Sequence, residues 1–219
     1  GDVWEVKEAD GTGIGLFLTD YYARPSKRGG AWMSGFVEQS RLLGLRPVII
    51  NVMGVTKPTD GSPALLTLDE VTTMFHEFGH ALHGLLSDVR YPTFSGTNVP
   101  RDYVEFPSQI NENWALDPAI LRNYARHIDT GEPLPSELID AITASRQFGQ
   151  GFATSEYLAA AIIDMAWHSL SSEEAAGVSD VRAFEEAALQ DAGLVVEHLK
   201  PRYQSTYFNH IFGGGYSAG

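Results

Sequence analysis

Residues 67–86 read TLDEVTTMFHEFGHALHGLL. Thr67 is followed three residues later by Glu70, which is the capping-box pattern at the start of a helix. The apolar residues from Val71 to Phe75 lead into a histidine-rich segment. The pattern predicts a helix that runs from Thr67 to about Leu86 and carries polar chemistry at its centre.

The centre of this helix reads His76-Glu77-Phe78-Gly79-His80. Side chains four positions apart lie about 40° apart around a helix and about 6 Å apart along it, so both imidazoles can reach one ion. Neutral imidazole is a good zinc ligand. Glu77 lies at the edge of the same face, where it can take a proton from water and return one to a leaving amine. The segment therefore predicts a metal centre with Glu77 as general base.

Gly79 is an unusual residue for the middle of a helix, where it costs about 1 kcal/mol relative to Ala. We therefore expect a close packing contact at this position. His83 shares the helix face of His76, but it lies about 10 Å further along the axis, too far to bind the same ion. Its role is either to support the ligands or to pack against a neighbouring helix.

A catalytic zinc site needs a third protein ligand. A second predicted helix, from Asp102 to about Trp114, carries one polar stripe: Asp102, Glu105, Gln109 and Glu112. Such a stripe also suits a solvent-facing surface, and Asp102 with Glu105 also fits a capping box. On spacing alone, Glu105 is the first candidate for the ligand and Glu112 the second.

The rest of the chain predicts a small sheet followed by helices. A hairpin is expected between Trp4 and Leu18, and a further strand over 47–52, giving about three strands. Further helices are expected over 117–131, 137–146, 154–170 and 180–190. We therefore expect a predominantly helical α+β protein of one domain, 1–219, with the sheet and loops in 1–62 and the zinc site in 63–219.

Composition narrows the function further. The 219 residues include no cysteine, which excludes a disulfide scaffold and a thiolate metal site. The net charge of −13 makes nucleic acid and anionic membranes poor partners. The N-terminal residues carry no secretory signal pattern, so we expect a cytoplasmic protein.

The C-terminal residues form a glycine-rich stretch that begins at His210 and includes Tyr216. Glycines allow close backbone approach to a ligand, and a phenol or imidazole can donate to a developing oxyanion. A disordered tail explains the composition equally well.

Several motifs together resemble the thimet oligopeptidase and peptidyl-dipeptidase family of zinc metallopeptidases. The matching stretches are 75–83, Phe94-Ser95-Gly96-Thr97, 101–109 and Glu112-Asn113-Trp114, with further likeness in 20–22, 27–32, 148–151, 201–203 and 210–212. The bacterial peptidyl-dipeptidase branch is the most similar.

The resemblance implies a zincin-type catalytic domain that hydrolyses peptide bonds in oligopeptides. It makes His76, His80 and Glu105 the ligands of one Zn2+ and Glu77 the general base. His83 and Glu112 would support the ligands, and Gly96 and Thr97 would line the substrate cleft. His210 and Tyr216 match positions that contact the substrate or stabilise the oxyanion.

The family members are much longer, and their pattern continues with more tyrosines beyond Gly219. The alternative to an active peptidase is therefore an inactive zinc- or peptide-binding fragment that lacks the full oxyanion site. The absence of a second lobe would expose apolar surface, from which we expect a homodimer.

Overall fold

The structure is a computed structural model that describes residues 1–194 and 199–213. Its contacts divide the chain into two compact units, Gly1–Pro135 and Ser136–Gly219. The expectation of a single domain stays a prediction.

The first unit opens with a sheet of four strands in the described chain. These are β1 (Asp2–Lys7), β2 (Gly13–Tyr22), β3 (Trp32–Val37) and β4 (Val48–Val55). Their spatial order is β1-β2-β4-β3, with β2 parallel to β4 and both outer pairs antiparallel. The expected hairpin and the strand at 47–52 are confirmed. The expectation of about three strands missed β3, because this edge strand is largely exposed and Ser34 and Gly35 interrupt its apolar pattern.

Helix α1 (Leu68–Leu85) packs on this sheet. The expected capping box is present: Glu70 N–H donates to Thr67 Oγ1 over 3.2 Å, and Thr67 N–H donates to Glu70 Oε2 over 2.8 Å. The core between helix and sheet consists of four buried side chains: Phe17, Ile49, Ala81 and Leu85. Burial of this face, rather than helix propensity alone, fixes α1 on the sheet.

The expected helix over 102–114 is not continuous, and this prediction was wrong. The chain forms α2 (Arg101–Val104), α3 (Phe106–Glu112) and a 3-10 turn at Asn113–Leu116. Pro107 explains the break, since it has no N–H and its ring would clash with the carbonyl four residues earlier. Glu105 lies at the junction between α2 and α3.

Helix α4 spans Pro118–Tyr124, with Asp117 capping its N-terminus through hydrogen bonds to Ala119 N and Ile120 N. The expected start is therefore confirmed, but the helix ends before the predicted residue 131. The chain turns back instead, and Arg126 pairs with Pro133 in an antiparallel bridge.

The second unit contains α5 (Ser136–Ser145), α6 (Gln150–His168), α7 (Ser172–Gly177), α8 (Val181–Asp191) and α9 (Asn209–Gly213). The expected helices over 137–146, 154–170 and 180–190 are confirmed, with α6 beginning four residues earlier. A small core joins Ala160, Phe208 and Ile211, with Tyr203 packed against it. The α+β class with predominant helix is confirmed.

Candidate metal centre

Three side chains of the first unit converge on one point: His76 and His80 from α1, and Glu105 from the α2–α3 junction. His76 Nε2 and His80 Nε2 each lie 3.1 Å from Glu105 Oε2. One ligand atom from each of the three residues lies within 4.8 Å of the others. The structure therefore brings together the three side chains that the sequence and the resemblance nominated as ligands.

The spacing of these atoms fits a zinc ion. Zinc binds imidazole nitrogen and carboxylate oxygen at about 2.0–2.2 Å in tetrahedral geometry. Two ligands of such an ion are separated by about 3.3 Å, the edge of that tetrahedron. The separations of 3.1 Å lie close to this value. Two imidazoles and one carboxylate also match the donor set that zinc accepts at catalytic sites.

Glu112 orients His76, the first of the candidate ligands. Its Oε1 lies 2.7 Å from His76 Nδ1, and because an ionised carboxylate can only accept, the Nδ1 proton is the one donated. With Nδ1–H donated to Glu112, Nε2 is the ring nitrogen that faces the ligand cluster. Glu112 therefore fixes the ring direction of His76, as expected for a residue that supports a metal ligand.

Glu105 is oriented by a residue that the sequence reasoning missed. The fully buried Ser108 places Oγ 3.0 Å from Glu105 Oε2. The signal for Ser108 was its spacing of three residues from Glu105, but a helix broken at Pro107 was needed to place it. Asn111 Nδ2 also donates to the Phe75 carbonyl over 2.6 Å, which ties α3 to α1.

Gly79 allows α1 and α3 to approach closely. A Cβ at this position would lie 2.6 Å from Ser108 Cα and 2.9 Å from the Pro107 carbonyl oxygen. Both neighbours are backbone atoms, so they cannot turn aside as a flexible side chain would. The expected packing contact at Gly79 is confirmed, and it sets the distance across which Glu105 reaches the histidines.

Glu77 is buried beside the ligand cluster, with 6% of its surface exposed. Among the described residues, its Oε2 has no hydrogen-bond partner. Burial raises the pKa of Glu77 to about 7; the charge of His76 opposes this rise and that of Glu105 adds to it. A carboxyl group with a pKa near neutrality can both accept and return a proton at physiological pH.

His80 differs from His76 in its surroundings. Burial lowers the pKa of His80, an effect that the neighbouring Glu105 opposes. The lowered pKa keeps the ring neutral near pH 7, so a nitrogen lone pair is available to a metal ion. His80 Nδ1 is buried and has no hydrogen-bond partner in the described part of the chain.

The remaining nominated residues of this unit lie beside the ligand cluster rather than in it. His83 is not part of the ligand group; its ring lies 6.2 Å from that of Tyr103, and burial lowers its pKa. His83 and Gly96 both line a cavity of about 560 Å³ between α1 and the α2–α3 segment. Thr97 follows Gly96 and is half-buried.

His210 and Tyr216 belong to the second unit. His210 is exposed on α9, with its ring 6.2 Å from that of Tyr203. Tyr216 lies outside the described residues. The roles of both residues in oxyanion stabilisation stay predictions.

Two histidines one helical turn apart, a glutamate from the α2–α3 junction and a buried glutamate beside them have the residue types and arrangement that a metal-dependent hydrolase requires. Comparison with known proteins makes the class specific. The sequence model of Peptidase family M3 matches residues 2–219, and the chain belongs to this family.

The chain is 54% identical over 217 residues to the dipeptidyl carboxypeptidase of Salmonella typhimurium and 52% identical over 217 residues to that of Escherichia coli K12. The oligopeptidase A of Salmonella typhimurium is 39% identical over 209 residues. These alignments cover 99%, 99% and 94% of the chain, but 32%, 32% and 30% of the relatives. The resemblance drawn from the motifs is confirmed, and the chain spans about a third of the length of these relatives.

None of the helices that the structure describes combines the length and apolar composition needed to cross a membrane.

Proposed function

We propose that this chain carries the catalytic centre of a zinc-dependent peptidase that hydrolyses peptide bonds in oligopeptides. One observation supports the proposal above the others: His76, His80 and Glu105 converge on one point, with the buried carboxyl group of Glu77 beside them. His76, His80 and Glu105 would hold the ion.

Zinc, when bound, supplies Lewis-acid chemistry: it polarises a carbonyl group and lowers the pKa of water. Glu77 accepts the proton of the attacking water, and it later returns a proton to the leaving amine. Its raised pKa of about 7 suits both steps, because neither protonation state is strongly disfavoured near neutrality. Glu112 keeps the His76 ring in the direction that binding requires.

The substrate class follows from the relatives. Two relatives above 50% identity are named dipeptidyl carboxypeptidases, and the oligopeptidase A relative is 39% identical. We therefore propose release of dipeptides from the C-terminus as the main activity. Lys27 is not available to anchor a substrate carboxylate, since its Nζ donates to three backbone carbonyls and pairs with Asp20.

The test compares the wild type with Glu77→Gln, and with Glu8→Gln as a control that alters an exposed carboxylate. Zinc content is measured first, then cleavage of a quenched fluorescent peptide with and without a chelator. We expect one zinc per chain in all three proteins, cleavage by the wild type and Glu8→Gln, and no cleavage by Glu77→Gln. An amidated C-terminus should block cleavage if a free carboxylate is required.

A wild type that binds zinc but never cleaves would contradict the proposed activity. That result would support the alternative, an inactive zinc- or peptide-binding fragment of a longer oligopeptidase. A wild type that binds no zinc would reject the metal centre itself. The homodimer stays a prediction, which light scattering at high protein concentration tests.

A further inference from the structure

The two histidines of the candidate metal centre are supported unequally. Glu112 holds His76 through Nδ1 at 2.7 Å, whereas His80 Nδ1 is buried and has no hydrogen-bond partner among the described residues. Histidines that bind metals almost always donate their second ring N–H to a partner that fixes the ring. A buried donor without a partner also costs about 1–3 kcal/mol. A hydrogen-bond partner for His80 Nδ1 should therefore lie near this ring.

Asn51 is the candidate. It is fully buried in β4, and neither its Oδ1 nor its Nδ2 has a hydrogen-bond partner within the described chain. Ile49, two residues earlier on the same strand, packs in the core beneath α1. Because alternate residues of a strand share a face, Asn51 also points from the sheet towards α1.

The packing of neighbouring residues places Asn51 along α1. At Gly15, a Cβ would lie 3.3 Å from Leu85, near the C-terminal end of the helix. One row further, Phe17 packs against Phe78, with the ring centroids 5.4 Å apart. Advancing along the strand therefore moves towards the N-terminus of α1.

The next row pairs Thr19 of β2 with Asn51 of the parallel strand β4. On β4 itself, a Cβ at Gly84 would lie 2.7 Å from Ile49 Cδ1, so Ile49 lies beneath Gly84. Asn51 is two residues, or about 7 Å, further along the strand, and about 7 Å of helix corresponds to four to five residues. Asn51 therefore lies beneath the turn of α1 that carries Glu77 and His80. Glu77 Oε2 is an acceptor without a partner, as His80 Nδ1 is a donor without one. A carboxamide offers both a donor and an acceptor, so its chemistry complements both groups.

We propose that Asn51 is a positioning residue for the metal centre, which holds the His80 ring through a hydrogen bond relayed by one buried water. The water accepts from His80 Nδ1–H and donates to Asn51 Oδ1 and Glu77 Oε2, which satisfies three buried polar atoms. This inference rests on the proposed function. It gives His80 the support that Glu112 gives His76, and it keeps the His80 Nε2 lone pair directed at the ion.

The test uses a matched pair of variants. Asn51→Val and Asn51→Thr have nearly the same volume and both suit a strand, but only threonine offers an oxygen to the relay. Thr19→Val is the control, since it removes a buried hydroxyl from the same row of the sheet and leaves the Asn51 side chain unaltered. Zinc affinity of the metal-free proteins is measured by competition with a chromophoric chelator, and stability by urea unfolding.

Asn51→Val should weaken zinc binding by about 10- to 100-fold, the usual effect of losing a group that supports a ligand. Asn51→Thr should recover part of that loss, and Thr19→Val should leave affinity within about threefold of the wild type. The stability of metal-free Asn51→Val should change little, because the substitution removes the buried Nδ2, which has no partner in the relay, together with the one acceptor that the relay loses.

The outcomes separate this inference from the proposed function. If the wild type binds no zinc, the metal centre is rejected. If the wild type binds zinc and Asn51→Val binds it equally well, only the role of Asn51 is overturned. Equal losses in both Asn51 variants and in Thr19→Val would show a general packing effect and would also overturn that role.

Discussion

Replacing Glu77 with glutamine should stabilise the metal-free protein at neutral and alkaline pH. Glu77 is buried, and its pKa is raised from 4.5 to about 7, mainly by desolvation. The folded protein therefore binds this proton more tightly than the unfolded chain does. Below pH 4.5 the group is neutral in both states, and stability is lost as the pH rises from 4.5 to 7. Glutamine has nearly the same shape and carries no charge, so it avoids that loss.

The size of the effect follows from the raised pKa. At about 1.36 kcal/mol for each tenfold change in proton binding, the charge of Glu77 costs about 3 kcal/mol at pH 8 and about 1.4 kcal/mol at pH 5.5. The difference in free energy of unfolding between Glu77→Gln and the wild type should therefore grow by about 2 kcal/mol over this range. Any constant difference between a carboxyl and a carboxamide group cancels in this comparison.

The measurement is urea unfolding followed by circular dichroism at pH 5.5, 6.5 and 8, in the presence of a chelator. Glu8→Gln provides the control for the loss of one negative charge, because Glu8 is exposed. A difference between Glu77→Gln and the wild type that stays constant with pH would contradict this prediction. It would mean that the folded carboxylate is solvated about as well as it is in the unfolded chain, so that burial does not raise its pKa.

Glu112→Gln should weaken zinc binding by about 10- to 100-fold in chelator competition while the protein stays folded, because the amide orients His76 less firmly. Gly79→Ala should lower both the free energy of unfolding, by about 1–3 kcal/mol, and zinc affinity, since the added methyl group meets the backbone of α3. Gly151→Ala, in the first turn of α6 with no neighbour near the new Cβ, should raise stability by about 0.4–1 kcal/mol, because alanine lowers the entropy of the unfolded chain. Lys27→Met should cost about 3 kcal/mol in urea unfolding, because three carbonyls lose a charged donor; an unchanged midpoint would contradict this.

Local signals predicted much of the fold. The capping box at Thr67 and the Asp117-Pro118 start of α4 each rest on contacts within a few residues, and the structure confirms both. The predictions of secondary structure failed where contacts between distant residues, or two competing local signals, determine the structure. The edge strand β3 needed β4 beside it, and Pro107 overrode a polar stripe that fitted one continuous helix.

The candidate site was also predictable only in part: residues on one helix could be identified, and residues whose position depends on packing could not. Spacing along one helix nominated His76 and His80, because both positions share a face whatever the rest of the fold does. The position of Glu105 relative to the histidines depends on how two segments pack. Spacing alone therefore did not settle its role as the third ligand, and the family resemblance favoured that role. Ser108 gave only its spacing of three residues from Glu105 as a signal, because its position also depends on the break at Pro107. Asn51 gave no usable signal, since its importance arises from burial beneath a helix that is distant in the sequence.

The ligand cluster joins α1 to the α2–α3 junction, two segments that also pack at Gly79 and share the hydrogen bond from Asn111 to Phe75. An ion bound to both would act as a reversible cross-link, comparable with a disulfide in a chain that has no cysteine. Binding to the folded state alone adds stability that grows with the logarithm of free metal concentration over the dissociation constant. The thermal resistance of the unit would then follow the metal supply of its surroundings, and starvation for metal would expose the segment to proteases as well as end its chemistry.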